Sequence, residues 1–140
     1  MTAVPAEAEE LIADRKLMAH IATCKDGEPH NVPVWYAYED GHIRISTSGQ
    51  KVTNLRQNPR AAISIQYDEN GDAKWFVALR GAATIIEDPA EHSAAANRIF
   101  SMYLGDDIEQ WDEYYREQVT GEPNGVLLDI DVEWASYQIY

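Results

Sequence analysis

Residues 17–47 read LMAHIATCKDGEPHNVPVWYAYEDGHIRIST, and this stretch decides the fold. It is divided by Asp26-Gly27 and Asp40-Gly41, a dipeptide suited to the left-handed backbone of a two-residue hairpin turn. The pieces between them predict three strands, at 17–24, 30–38 and 42–47. In the second, Val32, Val34, Tyr36 and Tyr38 point one way and Asn31, Pro33, Trp35 and Ala37 the other. Pro33 has no amide hydrogen for a ladder, which assigns it to an edge or a bulge. In the third, Ile43 and Ile45 alternate with Arg44 and Ser46. Consecutive strands joined by tight turns make an antiparallel sheet.

The same alternation continues outward. Residues 61–67 set Ile63, Ile65 and Tyr67 against Ser64 and Gln66. Asn70-Gly71 then turns the chain into a long strand over 74–86. Gly81, inside that strand, predicts a bulge or a close backbone approach, including that of a ligand. The last strand, 126–137, sets Val126, Leu128, Ile130, Val132 and Trp134 against Asp129, Asp131 and Glu133. Helices are expected in three further places. Pro5 opens a short one carrying Leu11 and Ile12. A second runs from Pro89 to Leu104 through Ala95, Ile99, Met102 and Tyr103, and Gly105 ends it. A third covers 108–119 through Ile108, Trp111, Tyr115 and Val119, and TGEPNG at 120–125 is a loop. Six mostly antiparallel strands with flanking helices fit a small closed barrel. A sandwich satisfies the same periodicity.

The link at 47–60, TSGQKVTNLRQNPR, stands out by charge. The chain holds 24 Asp and Glu against 11 Lys and Arg, a formal net charge of -13. Yet no carboxylate falls between Asp40 and Asp68, where Arg44, Lys51, Arg56 and Arg60 all lie. Thr47, Ser48 and Gly49 ahead of a short helix offer hydroxyl and amide donors at its positive end. Lys51 and Arg56 would add full charges to the same anion pocket. The plainer alternative makes these cations ordinary surface partners of nearby acids.

Composition narrows the rest. At 140 residues with 45% apolar content, one globular domain is expected, covering residues 1–140. No apolar run is long enough for a membrane span, and the first sixteen residues lack the pattern of a signal peptide, so a cytoplasmic, membrane-free protein is expected. Acids are dispersed and lysines number four (Lys16, Lys25, Lys51, Lys74), which suggests a surface adapted to high salt. Duplex nucleic acid is not an expected partner at this charge. Cys24 reads as a small apolar residue, and His20, His30, His42 and His92 lack metal-ligand spacing. Trp75, Trp111 and Trp134 read as core or interface anchors. Arg80 suits a cross-strand ion pair, and Tyr114 and Tyr115 a solvated helix with one packed face.

Three segments carry a family resemblance: HIATCKDGEPHNVPVWYAYEDGHIRIST, KVTNLRQNPRAAISI and WFVALRGAATI. Ala22-Thr23, Asp26-Gly27 with Pro29, Pro33-Val34-Trp35, Lys51 with Asn54-Leu55-Arg56, and Pro59-Arg60 follow in an order and spacing similar to the FMN-binding split-barrel family. These are the pyridoxamine 5'-phosphate oxidase-like proteins. The segment from Tyr103 onward resembles the branch with mycobacterial deazaflavin-binding members. The resemblance implies a six-stranded split β-barrel and a homodimer with the cofactor, FMN or the deazaflavin coenzyme F-420, in the groove between chains. It implies a cofactor phosphate on Lys51, helped by Asn54 and Arg56 of the Asn-Leu-Arg turn. It also implies a ring lying against Val34, Trp35 and Thr47. The C-terminus, EWASYQIY, departs from the Trp/Arg/His substrate segment of pyridoxamine phosphate oxidases proper, so vitamin B6 oxidation is not expected.

No residue stands out as a general acid or base, which suits chemistry supplied by a cofactor. The expectation is a flavin- or deazaflavin-dependent oxidoreductase acting on a small molecule. A flavin-binding carrier or sensor without turnover, and a haem-handling split barrel, are the alternatives.

Overall fold

The computed structural model describes residues 2–120 and 123–140, so Gly121 and Glu122 of the expected loop lie outside the described residues. Helix α1 (Ala6–Ile12) is followed by strands β1 (Ala19–Lys25), β2 (Glu28–Val34), β3 (Ala37–Glu39) and β4 (His42–Thr47). Helix α2 (Gln50–Gln57) leads to β5 (Arg60–Glu69) and β6 (Asp72–Ile86). Helix α3 (Pro89–Leu104), a short 3-10 turn (Ile108–Gln110) and α4 (Glu113–Thr120) precede β7 (Val126–Ile139). The three expected hairpin turns form as read. Asp26, Asp40 and Asn70 take φ of 52° and the glycines after them 79°, 84° and 88°, the left-handed geometry a two-residue turn needs.

The seven strands form one antiparallel sheet in the order β2-β1-β5-β6-β7-β4-β3. Its outermost strands, β2 and β3, are consecutive in the chain, joined only by Trp35 and Tyr36. Three peptide units span at most roughly 11 Å. The sheet must therefore curl until its two edges meet at that corner. The barrel is closed there by the chain itself and not by a hydrogen-bonded ladder, so it is split. This is where the expected single strand over 30–38 divides, giving seven strands in place of six.

Pro33 sits on β2, an edge strand, as its missing donor requires. Inside the curled sheet Ile21, Ile43, Ile45, Ile63, Ile65, Val77, Leu79, Leu128 and Ile130 form one core, joined by Ala8 and Ile12 of α1. A second cluster lies outside the barrel, where Ile99, Phe100 and Tyr103 of α3 meet Ala37, Trp111, Trp35 and Tyr115.

The helix expected over 108–119 is broken at Trp111. Its indole N–H donates to the carbonyl of Gly105 at 2.9 Å, and its ring meets Phe100 edge-on. That contact turns the chain before α4 begins. Trp75 is buried as expected, whereas Trp134 is 43% exposed and carries the Arg80 guanidinium 3.9 Å above its ring. Arg80 thus makes a cation–π contact where a cross-strand ion pair was expected.

Gly81 marks a register shift against β7. A Cβ there would lie 2.1 Å from the Asp131 carbonyl oxygen, so the close approach is by the neighbouring strand and not by a ligand. Gly81→Ala must displace β7 backbone and is expected to lower stability by about 2 kcal/mol or more. Gly71→Ala meets open space and bears only the left-handed penalty, about 1–2 kcal/mol. Denaturant midpoints of the two variants measure this, and equal losses would show that the β6–β7 contact has room to give.

Candidate functional site

Five segments converge at the seam between the barrel and the outer helices. Pro33, Val34 and Trp35 come from the β2–β3 corner, and Ser46, Thr47, Ser48 and Lys51 from the passage between β4 and α2. Met18 precedes β1, while Phe100, Tyr114 and Tyr115 come from α3 and α4. Together they line a cavity of about 400 Å³, within the range of small-molecule and cofactor sites. One part of the lining is hydroxyl and ammonium, the other apolar and aromatic.

The corner is held by Tyr103. Its hydroxyl accepts from the Tyr36 N–H at 3.2 Å and donates to the Leu17 carbonyl. These bonds supply partners to backbone that the interrupted ladder leaves unpaired. Trp35 is turned outward and stacks between Tyr103 (4.8 Å between centroids) and Tyr115 (5.1 Å). Both faces of its indole are occupied, so it meets the cavity as a fixed wall and not as a free stacking surface.

On the polar side, Gly49 precedes α2 with φ of 89°, and among the described residues no side chain bonds the helix N-terminus. Lys51 Nζ donates to the Ser48 carbonyl at 3.0 Å. Among the described residues no carboxylate oxygen lies within 4.0 Å of it, whereas the other cations of the acid-free window are paired. Arg44 meets Asp129 at 3.3 Å, Arg56 meets Glu87 at 2.5 Å, and Arg60 meets Glu133 at 2.6 Å. The plain reading thus describes the three arginines. Partial burial pushes the Lys51 pKa below its ordinary 10.5, a charged group losing water without gaining a counter-ion.

Five of the seven expected site residues therefore share one cavity: Val34, Trp35, Thr47, Ser48 and Lys51. Arg56 lines a neighbouring cavity beyond Thr47 and Ser48. It and Lys51 are five positions apart, roughly 140° round a helix, so they cannot point into one pocket. Asn54 is 2% exposed and turned toward β1. It donates to Thr23 Oγ1 at 3.0 Å and accepts from Gln50 at 2.7 Å, which fastens α2 to the barrel.

Met18, Pro33, Ser46, Phe100, Tyr114 and Tyr115 were not anticipated as lining. The only hint in the sequence was the density of aromatics around Trp111. Buried Gln118 positions α4: its carbonyl accepts from Ser93 of α3 at 3.0 Å, and its side chain accepts from the Asn124 N–H. That places Tyr115 against Trp35 and leaves Tyr114 half-exposed at the cavity mouth. Among the described residues no three metal-ligating side chains converge, and no helix is long and apolar enough to cross a membrane.

The profile of the family described as pyridoxamine 5'-phosphate oxidase matches residues 4–139. A curated relative, "Uncharacterized protein RA0666" of Rhizobium meliloti, is 28% identical over 95 residues. The match covers 67% of this chain and 62% of that protein's length. Among solved structures, the conserved hypothetical protein Rv2991 from Mycobacterium tuberculosis is 26% identical with a TM-score of 0.78, covering 98% of this chain and 86% of that one. A protein titled "F420 Reductase" is 24% identical with a TM-score of 0.72, covering 95% of this chain and 98% of that one, and shows the shared fold.

An unpaired, partly desolvated ammonium is a cost to folding that a ligand would repay. Lys51→Met is therefore expected to raise the melting temperature slightly. A fall of several degrees would show Lys51 to be a structural residue.

Proposed function

The chain belongs to the pyridoxamine 5'-phosphate oxidase family, and on that premise we propose that it is a flavin- or deazaflavin-dependent oxidoreductase using the cavity beside Lys51. The observation that carries this reading is Lys51 itself, the cation of the acid-free window left without a carboxylate among the described residues, set at the hydroxyl-rich side of an otherwise apolar and aromatic cavity. The donor set fits a ligand with a phosphate at one end and a flat ring at the other. Lys51, the Ser48 and Thr47 hydroxyls and the uncapped start of α2 would hold the phosphate of FMN or coenzyme F-420. Val34, Met18 and the edge of Trp35 would bound the ring and exclude water. When bound, such a cofactor supplies hydride or electron transfer, which accounts for a lining without an evident general acid or base. The second substrate is a small molecule admitted past Tyr114.

The reading extends to a homodimer with the cofactor groove shared between chains. Supporting it is a small-residue patch on the outward face of β1, β5 and β6, where Ala22 lies beside Ala62 and Ser64 beside Ala78, flanked by His20 and Arg80. Small side chains across adjacent strands let a second sheet approach closely. Ala62→Arg would block that approach and is expected to give a folded monomer in sedimentation, with cofactor affinity lowered at least tenfold. Wild-type protein that is monomeric at micromolar concentration and still binds cofactor fully would contradict the shared groove.

The absorbance spectrum after reconstitution with FMN or F-420 identifies the cofactor. Fluorescence titration then measures Lys51→Met, expected to bind about ten- to a hundredfold more weakly, the value of a charge-assisted phosphate contact of about 1.5–3 kcal/mol. Unchanged affinity would remove Lys51 from the site. Turnover with the reduced cofactor separates an oxidoreductase from a flavin carrier.

A further inference from the structure

His92 and Ser46 form a pair that the cofactor reading leaves unused. On β4, Ile43 and Ile45 enter the barrel core, so Ser46 faces the other way, toward α3. There its Oγ lies 2.7 Å from His92 Nε2. The imidazole is 1% exposed, and among the described residues its Nδ1 has no partner. Ser46 is also part of the cavity lining, with His92 behind it and the cavity in front.

The buried ring favours one direction for this hydrogen bond. Burial lowers the His92 pKa below its ordinary 6.5, so the imidazole is neutral at pH 7 and carries one N–H. If the hydrogen were on Nδ1, a donor would be orphaned in the interior, and the Ser46 hydroxyl would be spent donating to Nε2. If it is on Nε2, it donates to Ser46 Oγ, and only a lone pair on Nδ1 goes unmatched. Orphaned buried donors are rarer than under-used acceptors. The second arrangement leaves the Ser46 hydroxyl hydrogen free, and the Ser46 side chain makes no other hydrogen bond among the described residues. The remaining direction open to it is the cavity. Accepting from His92 also polarises the hydroxyl and makes it a better donor.

We propose that Ser46 donates a hydrogen bond to an acceptor atom of the cavity's ligand, a ring carbonyl or an unprotonated ring nitrogen, and that His92 is the positioning residue that aims it. The inference rests on the reading that the cavity holds a flavin-type ring. It makes Ser46 a specificity determinant, because a site built to donate discriminates against a ligand without the matching acceptor. Two kinds of acceptor are available in such rings. The carbonyls and the unprotonated pyrimidine-ring nitrogen are common to flavin and deazaflavin, whereas the central ring nitrogen of a flavin is a carbon in a deazaflavin.

A ligand-free measurement tests the direction. Long-range proton–nitrogen NMR correlations of the His92 ring are expected to show Nε2 protonated and Nδ1 bare. The opposite tautomer would mean that Ser46 donates to the histidine, and would overturn the proposal. Fluorescence titration with FMN and with F-420 tests the consequence. Ser46→Ala is expected to lose about three- to tenfold in affinity, the worth of one neutral hydrogen bond, with a shift of the bound absorbance band. Ser46→Thr should retain both affinity and band.

His92→Phe keeps the hydroxyl but not its aim and should lose affinity like Ser46→Ala. His92→Gln, whose amide can donate in place of Nε2, should recover it to within about twofold. Near-UV circular dichroism checks that the variants fold, and Ser46→Ala carries the test if His92→Phe does not. Loss for both cofactors assigns the acceptor to an atom the two rings share, and loss for FMN alone to the central ring nitrogen. A parent protein that binds a cofactor while Ser46→Ala matches it in affinity and spectrum would overturn this inference alone. A parent that binds neither would overturn the cofactor reading and this inference with it.

Discussion

The Tyr103 hydroxyl is the contact on which the arrangement of this molecule turns. At Trp35-Tyr36 the chain leaves one edge of the sheet and starts the other, and a strand interrupted there exposes backbone groups that no ladder satisfies. Tyr103 reaches from α3 to accept from the Tyr36 N–H and donate to the Leu17 carbonyl. Tyr36 adds its own bond to the Ile12 carbonyl at 2.7 Å. Burial pushes the Tyr36 pKa well above its ordinary 10 and raises that of Tyr103, so both phenols stay protonated as donors at physiological pH. Barrel, α1 and α3 are thus tied at one corner. The same corner delivers Val34 and Trp35 to the cavity, so the closure of the fold and the wall of the site have one cause.

Electrostatics follow a similar economy. The chain has net charge -13, and acids from two other segments reach the arginines of the acid-free window. Strand β7 supplies Asp129 and Glu133, and the turn before α3 supplies Glu87, to the arginines of the acid-free window. The Arg56–Glu87 and Arg60–Glu133 pairs are largely exposed and contribute little to stability on their own, while Arg44–Asp129 is more buried. Their effect is on selection, since neutralising the arginines leaves Lys51 as the local positive charge facing the cavity. A site held ready for an anion carries an unfavourable term in its absence, and functional sites commonly show that trade.

Much of the barrel was legible because its signals are local. An Asp-Gly or Asn-Gly pair reports a left-handed turn from two residues, and alternation reports a buried face from six. The breaks at Trp35 and Trp111 were not legible. The period of Val32, Val34, Tyr36 and Tyr38 runs through the first without a glycine to mark it. The second depends on an indole N–H finding a carbonyl six residues upstream. The site divides the same way. Thr47, Ser48 and Lys51 are neighbours in sequence and could be grouped by charge and donor content. Phe100, Tyr114 and Tyr115 reach the cavity only because α3 and α4 pack over the corner. His92 and Ser46 are 46 positions apart, and only the packing of α3 on the outer face of β4 makes them a pair.

That division bears on how such a site can vary. The polar side of the cavity is built on β4 and α2, which are pinned to the barrel through Val52, Leu55 and the Asn54–Thr23 bond. The aromatic side is carried by α3 and α4, packed on a separate cluster outside the barrel. A substitution at Tyr114, half-exposed on α4, disturbs neither core. A substitution at Lys51 leaves the aromatic layer intact. Trp35 alone belongs to both sides: its backbone closes the barrel and its ring is clamped in the helical cluster. The shape of the ring-facing wall is therefore coupled to the closure of the fold, while the mouth is free to change. Fold stability constrains the ligand's buried end, and α4 sets what reaches it.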